Sequence, residues 1–189
     1  MIRATPGAPL TYHVARLLTE APGSARDYAV DGVTIPLDDP DLHLADPIAG
    51  RVHLSRTNRG LIAHADLTTS LAGSCSRCLR EIEIPLELRI HEEVLPSIDL
   101  ASGQPVDTSR EPDVLRLNDH HELDLAPPVR DAISLAEPIA PLCQPDCPGL
   151  CPTCGERLTG GRHDHPDDDG DPRLAALRGL QVDAGPETG

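Results

Sequence analysis

The sequence predicts an α+β fold in which an antiparallel β meander is covered on one face by a helix. Two successive runs alternate apolar and polar residues, a helical run follows a nonperiodic loop, and from Pro141 the composition changes to Cys, Pro, Gly and Asp. Period two marks strands with one buried and one wet face. A Pro- and Gly-rich tail cannot build an apolar core and needs another source of order. With 189 residues the chain holds one compact domain with an appendage, or two small ones. The composition divides it into a β-rich region over 1–115, a helix and connection over 116–140, and a C-terminal module over 141–189.

Residues 1–46 form a Pro-punctuated segment with an apolar patch at Val14, Leu17 and Leu18 and a strand through Tyr28, Val30, Val33 and Ile35. A strand over Ile48 to Leu54 is followed by Thr57-Asn58-Arg59-Gly60, a polar cluster suited to a hairpin turn. Leu61, Ala63, Ala65, Leu67, Thr69 and Leu71 then face one way. After a turn over Gly73 to Leu79, Ile82, Ile84, Leu86, Leu88 and Ile90 alternate with Glu81, Glu83, Glu87, Arg89 and His91. Pro96 to Asp113 has no periodicity and reads as an exposed loop. Leu123, Leu125, Val129, Ile133 and Leu135 predict a helix that starts near Asp124 to Pro128, ends before Pro138 and covers the sheet. Near the end, Asp171 as N-cap, Pro172 at the first helical position, and Leu174, Leu177 and Leu180 predict a short amphipathic helix.

Charge narrows the function classes. The formal net charge is -15, and every one of the 16 basic residues is Arg. Nucleic-acid affinity comes largely from cations neutralising phosphates, so this balance disfavours a free-standing nucleic-acid-binding domain and favours basic protein partners. Single-stranded RNA readers stack bases on aromatic rings, and here only Tyr12 and Tyr28 are available. A local patch at Arg51, Arg56 and Arg59 is the exception to the acidic surroundings. No apolar run reaches the length of a membrane helix and the N-terminus lacks signal-peptide character, so a cytoplasmic protein without membrane contact is expected.

In a reducing compartment, six cysteines in close pairs read as metal ligands rather than disulfides. Cys151-x2-Cys154-Gly155 has the knuckle form in which two thiolates reach one tetrahedral zinc across a tight turn. His163 and His165 complete a set of two thiolates and two imidazoles. Cys75-x2-Cys78, between two strands, and Cys143-x3-Cys147 make a second set of four, which would fasten the strand tip to the C-terminal module. The competing partition places Cys143, Cys147, Cys151 and Cys154 on a single ion, so one or two zinc ions are expected. Cys75 and Cys78 also allow a thiol oxidoreductase, although the pair does not open a helix. Arg77, Arg80, Arg157 and Arg162 beside the cysteines are the support for a nucleic-acid-binding zinc module. The other histidines read as solvated, and His120-His121 beside Asp119 and Glu122 is a weak metal motif. The chain has no phosphate-binding loop, dinucleotide fingerprint, nucleophile elbow or metalloprotease motif, and no small-molecule substrate is indicated.

Cys75-Ser-Arg-Cys78-Leu79 after a strand, Pro141-Leu-Cys143-x2-Asp146-Cys147-x-Gly149-Leu150-Cys151-Pro152-x-Cys154-Gly155, and Asp171-Pro-Arg-Leu-Ala-Ala-Leu177 occur in that order. This order resembles the YceD family, the large ribosomal RNA subunit accumulation proteins of bacteria and plastids, over about residues 10–180. The resemblance implies a non-enzymatic role in 23S rRNA accumulation and large-subunit assembly. Where many relatives carry Cys-x-Cys after the knuckle, this chain has His163-Asp-His165, which keeps two candidate ligands in place. Together with the acidity, it leads to the expectation of a ribosomal protein or assembly factor as main partner, with 23S rRNA contacted directly or indirectly.

Overall fold

Alternating runs become long paired strands. The computed structural model describes residues 10–99, 102–107, 109, 111–158 and 165. In chain order the elements are β1 (Thr11–His13), α1 (Ala15–Thr19), β2 (Ala25–Val33), β3 (His43–Arg56), β4 (Leu61–Ser74), β5 (Glu81–Leu95), β6 (Leu115–Arg116), β7 (Glu122–Asp124) and α2 (Ala126–Ala136). A five-stranded sheet has the order β2-β3-β4-β5-β6, antiparallel except for the short parallel β5–β6 pair. β1 and β7 form a separate antiparallel pair. The α+β class and the meander are as predicted.

One face of the sheet is aliphatic. Ile48, Val52 and Leu54 of β3, alternate residues of β4 from Leu61 to Leu71, and Leu86, Leu88 and Ile90 of β5 are buried in one cluster. α2 packs against β5 and adds Val129 and Ile133, both fully buried. Each Leu or Ile so placed contributes about 1.5–3 kcal/mol through apolar burial. Tyr12 and Tyr28 lie 4.8 Å apart at the edge of this core.

Several expectations need correction. The helix itself lies within the expected bounds, from Ala126 to Ala136, but Leu123 belongs to β7, where it pairs with Tyr12, and Leu125 is the N-cap. Leu135 is 87% exposed. Positions 129 and 133 stand one turn apart on the buried side, whereas a residue two further along faces away. β3 starts at His43 rather than Ile48, with register shifts around Asp46 and Ala49. These irregular positions break the alternation but are held by side chains: Thr69 Oγ1 donates to the Asp46 carbonyl and Ser70 Oγ to the Asp46 carboxylate, both at 2.7 Å. At Gly50 the strands come so close that a Cβ would stand 2.2 Å from the Asp66 carbonyl oxygen, with φ at +147°.

The predicted turn at Thr57 to Gly60 joins β3 to β4, closed by the Thr57 N–H donating to the Gly60 carbonyl at 2.9 Å. Arg56 donates from its Nε to the Leu18 carbonyl at 3.1 Å and from Nη1 to the Gly60 and Thr57 carbonyls, tying α1 to this turn. Inside the predicted loop, Ile98 and Pro105 form an isolated antiparallel bridge. The short terminal helix predicted from Asp171 lies outside the described residues. Among the described residues no helix is long and apolar enough to cross a membrane.

Candidate metal centres

Two tight turns present cysteines with the same backbone logic. In the β4–β5 turn the Cys75 N–H donates to the Arg80 carbonyl at 2.8 Å and the Leu79 N–H to the Cys75 carbonyl at 2.9 Å. In the C-terminal module the Cys151 N–H donates to the Glu156 carbonyl at 2.7 Å and the Gly155 N–H to the Cys151 carbonyl at 2.9 Å. The fifth residue of each turn has positive φ, +53° at Leu79 and +74° at Gly155. Glycine enters that region without penalty and leucine does not. The first turn is therefore the same knuckle, with a residue that a search for Cys-x2-Cys-Gly passes over.

The first cluster joins Cys75 and Cys78 to Cys143 and Cys147, with the four sulfurs all within 4.8 Å of one another. Cys75 Sγ lies 3.7 Å from Cys147 Sγ, and Cys78 Sγ lies 3.7 Å from Cys143 Sγ. Four thiolates at about 2.3 Å from a tetrahedral zinc stand about 3.8 Å apart, so these separations fit one ion. They are far beyond the about 2.05 Å of a disulfide. Cys75 has no exposed surface, and Cys78 and Cys147 are buried, so a redox partner has little access to the dithiol.

Electrostatics inside the cluster are uneven. Burial pushes the Cys75 thiol up, but backbone N–H groups of Cys78, Cys143 and Arg77 outweigh it and bring the group down to about 6. Burial, then the neighbouring sulfurs of Cys147, Cys78 and Cys75, push Cys143 up to about 12. Without a cation the cluster accommodates one negative charge readily and resists the next. A divalent ion is what allows four thiolates to coexist.

The second cluster brings Cys151, Cys154 and His165 together. Cys151 Sγ lies 3.1 Å from His165 Nε2. Cys151 is buried and Cys154 exposed. The predicted fourth ligand, His163, lies outside the described residues. Cys143 and Cys147 therefore sit with Cys75 and Cys78, not with Cys151 and Cys154 on one ion. Chain direction explains this: the Ser76 N–H donates to the Pro141 carbonyl at 2.8 Å and brings the segment before Cys143 to the β4–β5 tip.

Two arginines fasten the clusters to each other. Arg157 leaves the second knuckle and donates to the Cys78 carbonyl at 2.8 Å and the Leu79 carbonyl at 2.9 Å. Arg77 leaves the first knuckle and donates to the Cys147 carbonyl at 3.1 Å. A Leu150–Arg157 bridge and the Leu158 N–H to Gly149 carbonyl bond make residues 149–158 a small hairpin that holds Arg157 in place. Of the arginines considered for phosphate contact, Arg77 and Arg157 thus spend donors on backbone carbonyls, and Arg162 lies outside the described residues.

His120 and His121 form no metal group among the described residues. They build the turn before β7, with His121 at φ +58° and its carbonyl accepting from the Val14 N–H.

A family model described as large ribosomal RNA subunit accumulation protein YceD matches residues 63–181, which include all six cysteines. An uncharacterized protein of Mycobacterium bovis is 33% identical over 129 residues, covering 67% of this chain and 58% of that protein. An uncharacterized protein of Mycobacterium tuberculosis gives the same values, 33% over 129 residues, 67% and 58%. One from Mycobacterium leprae is 26% identical over 145 residues, covering 75% of this chain and 63% of that protein. The chain spans less than two thirds of the length of these relatives. No solved structure matches.

Proposed function

The chain belongs to the YceD family of large ribosomal RNA subunit accumulation proteins, and on that premise we propose that it is a zinc-stabilised, non-enzymatic factor that supports 23S rRNA accumulation and large-subunit assembly in the cytoplasm. The observation that supports a structural metal best is the pair of 3.7 Å sulfur separations in a buried set of four cysteines. That geometry is closed: four protein ligands leave no open position for substrate, as in structural rather than catalytic zinc. In this reading the second zinc is held by Cys151, Cys154, His163 and His165.

The two ions fold the tail onto the β4–β5 tip and so build a surface that the sheet alone lacks. Ribosomal proteins or assembly factors are the expected occupants of that surface. A net charge of -15 favours basic proteins over phosphate, and Arg77 and Arg157 are engaged on carbonyls. Any 23S rRNA contact is then small or indirect. Exposed Leu79, in the first knuckle, and exposed Ile139, two residues before the Pro141 that bonds Ser76, add apolar side chains beside the cysteine module.

Native mass spectrometry should find two zinc ions per chain, and none would overturn the structural role of metal. In pull-downs at physiological salt the chain should retain large-subunit proteins or assembly factors. Tight, salt-sensitive binding to naked 23S fragments without protein partners would refute the protein-contact reading.

A further inference from the structure

The wet face of the sheet carries an ordered row. Asp27, His53, His64 and His91 are direct cross-strand partners across β2, β3, β4 and β5. All four are exposed. His53 is taken by Asp27, with Nδ1 2.8 Å from the carboxylate. His64 and His91 instead turn ring nitrogens toward each other: their Nδ1 atoms are 3.3 Å apart, with ring centroids at 5.5 Å and planes at 85°.

At that separation one ring can donate a long hydrogen bond to the other, with the roles set by the tautomers. The same distance also matches the bite of a metal ion: two imidazole nitrogens, each about 2.0–2.1 Å from a tetrahedral centre, stand about 3.3–3.4 Å apart. The far nitrogen of His64, Nε2, lies 3.7 Å from Asp66 Oδ2. A carboxylate there favours the tautomer with hydrogen on Nε2 and leaves the Nδ1 lone pair directed at the gap. At 3.7 Å the contact is electrostatic rather than a hydrogen bond, so Asp66 acts on the ring through its charge.

We infer that His64 and His91 form a second kind of metal site, a bidentate imidazole clamp for a divalent first-row transition ion. Asp66 is its positioning residue. The clamp lies ten residues along β5 from the cysteine tip, about 30 Å at strand rise, and is separate from both cysteine clusters. Unlike them it is open: two protein ligands leave several coordination positions for water or an incoming donor. Imidazole pairs accept Cu(II), Ni(II) and Zn(II), with affinity in the order Cu(II) over Ni(II) and Zn(II). The strongly acidic chain raises local cation concentration.

The test uses the zinc-loaded full chain titrated with Ni(II), read by calorimetry and by paramagnetic broadening of histidine ring resonances. One equivalent should bind with zinc content unchanged, and broadening should centre on His64 and His91. His64→Gln and His91→Gln should each weaken binding at least about tenfold, and Asp66→Asn about tenfold. The double variant should be no weaker than either single one, because either loss destroys the bite. Unchanged isotherms, losses that simply add as for independent weak ligands, or nickel uptake only with release of zinc would each overturn the site. All three side chains are exposed, so the variants should fold as the parent does.

Discussion

The two cysteine clusters share a turn but not a setting. The first, Cys75, Cys78, Cys143 and Cys147, joins positions 65 to 72 residues apart and is mostly buried. The second, Cys151, Cys154 and His165, is local, spanning a separation of 14 residues between Cys151 and His165, and exposes Cys154. Closing a long loop removes more freedom from the unfolded chain than closing a short one. The first cluster therefore joins the segment after Pro141 to the sheet directly, whereas the second is local and reaches the β4–β5 tip through Arg157.

The largest expected effect separates these roles. Cys75→Ser should lose one of two zinc ions, expose residues 141–147 to protease and cost more than about 4 kcal/mol in denaturant unfolding. Cys154→Ser should lose the other ion yet cost the sheet less than about 1 kcal/mol, with cleavage confined to residues after about 149. If Cys154→Ser also releases 141–148, the two clusters act as one unit and the contrast fails.

An alkaline titration reads the same contrast from the sheet. Burial, then the neighbouring Tyr28, pushes Tyr12 up to about 12 from its usual 10. With a raised folded value, stability is complete below pH 10 and is lost as pH climbs to 12, by about 2–3 kcal/mol. Absorbance at the tyrosinate band is clean because the chain has no Trp. The high titration of Tyr12 should survive in Cys154→Ser, and a fall to its ordinary value there would show that the tail supports the core.

Arg157→Ala removes two donors from the carbonyls of Cys78 and Leu79. Both zinc ions should stay, stability should fall by about 1–2 kcal/mol, and amide exchange should accelerate in 149–158. Smallest is the exchange of the fifth knuckle residue. Leu79→Gly should stabilise the first knuckle by about 0.5–1 kcal/mol and Gly155→Ala destabilise the second by a similar amount, as metal competition with a chelator would show. Equal responses at both positions would break the equivalence of the turns.

Much of this was legible in residues alone. The period-two runs from Leu61 and Ile82 located β4 and β5, and the Cys-x2-Cys pairs located both knuckles. What was hidden depended on long-range pairing. β1 and β7 are three residues each and acquire meaning only as Tyr12 meets Leu123. The Asp46 bulge interrupts the alternation that would have marked β3 back to His43. Leu135 fits an apolar count but falls off the buried face. Spacing alone allows two partitions of the cysteines, and the Ser76–Pro141 bond selects between them. The histidine pair was unreadable because positions 64 and 91 become neighbours only through the β4–β5 register.

That register has one more consequence. All 14 residues of β4 pair with β5 without a slip, from Leu61 opposite Val94 to Ser74 opposite Glu81. At about 3.4 Å per residue this is a twisted beam of about 40–45 Å. Its proximal end is anchored by the Thr57–Gly60 turn and β6, and its distal end carries the cysteine module. The beam is a spacer as well as a scaffold: it fixes the distance between the cysteine-bearing tip and the Thr57–Gly60 base, so lengthening it by two residue pairs would move one end relative to the other by about 7 Å.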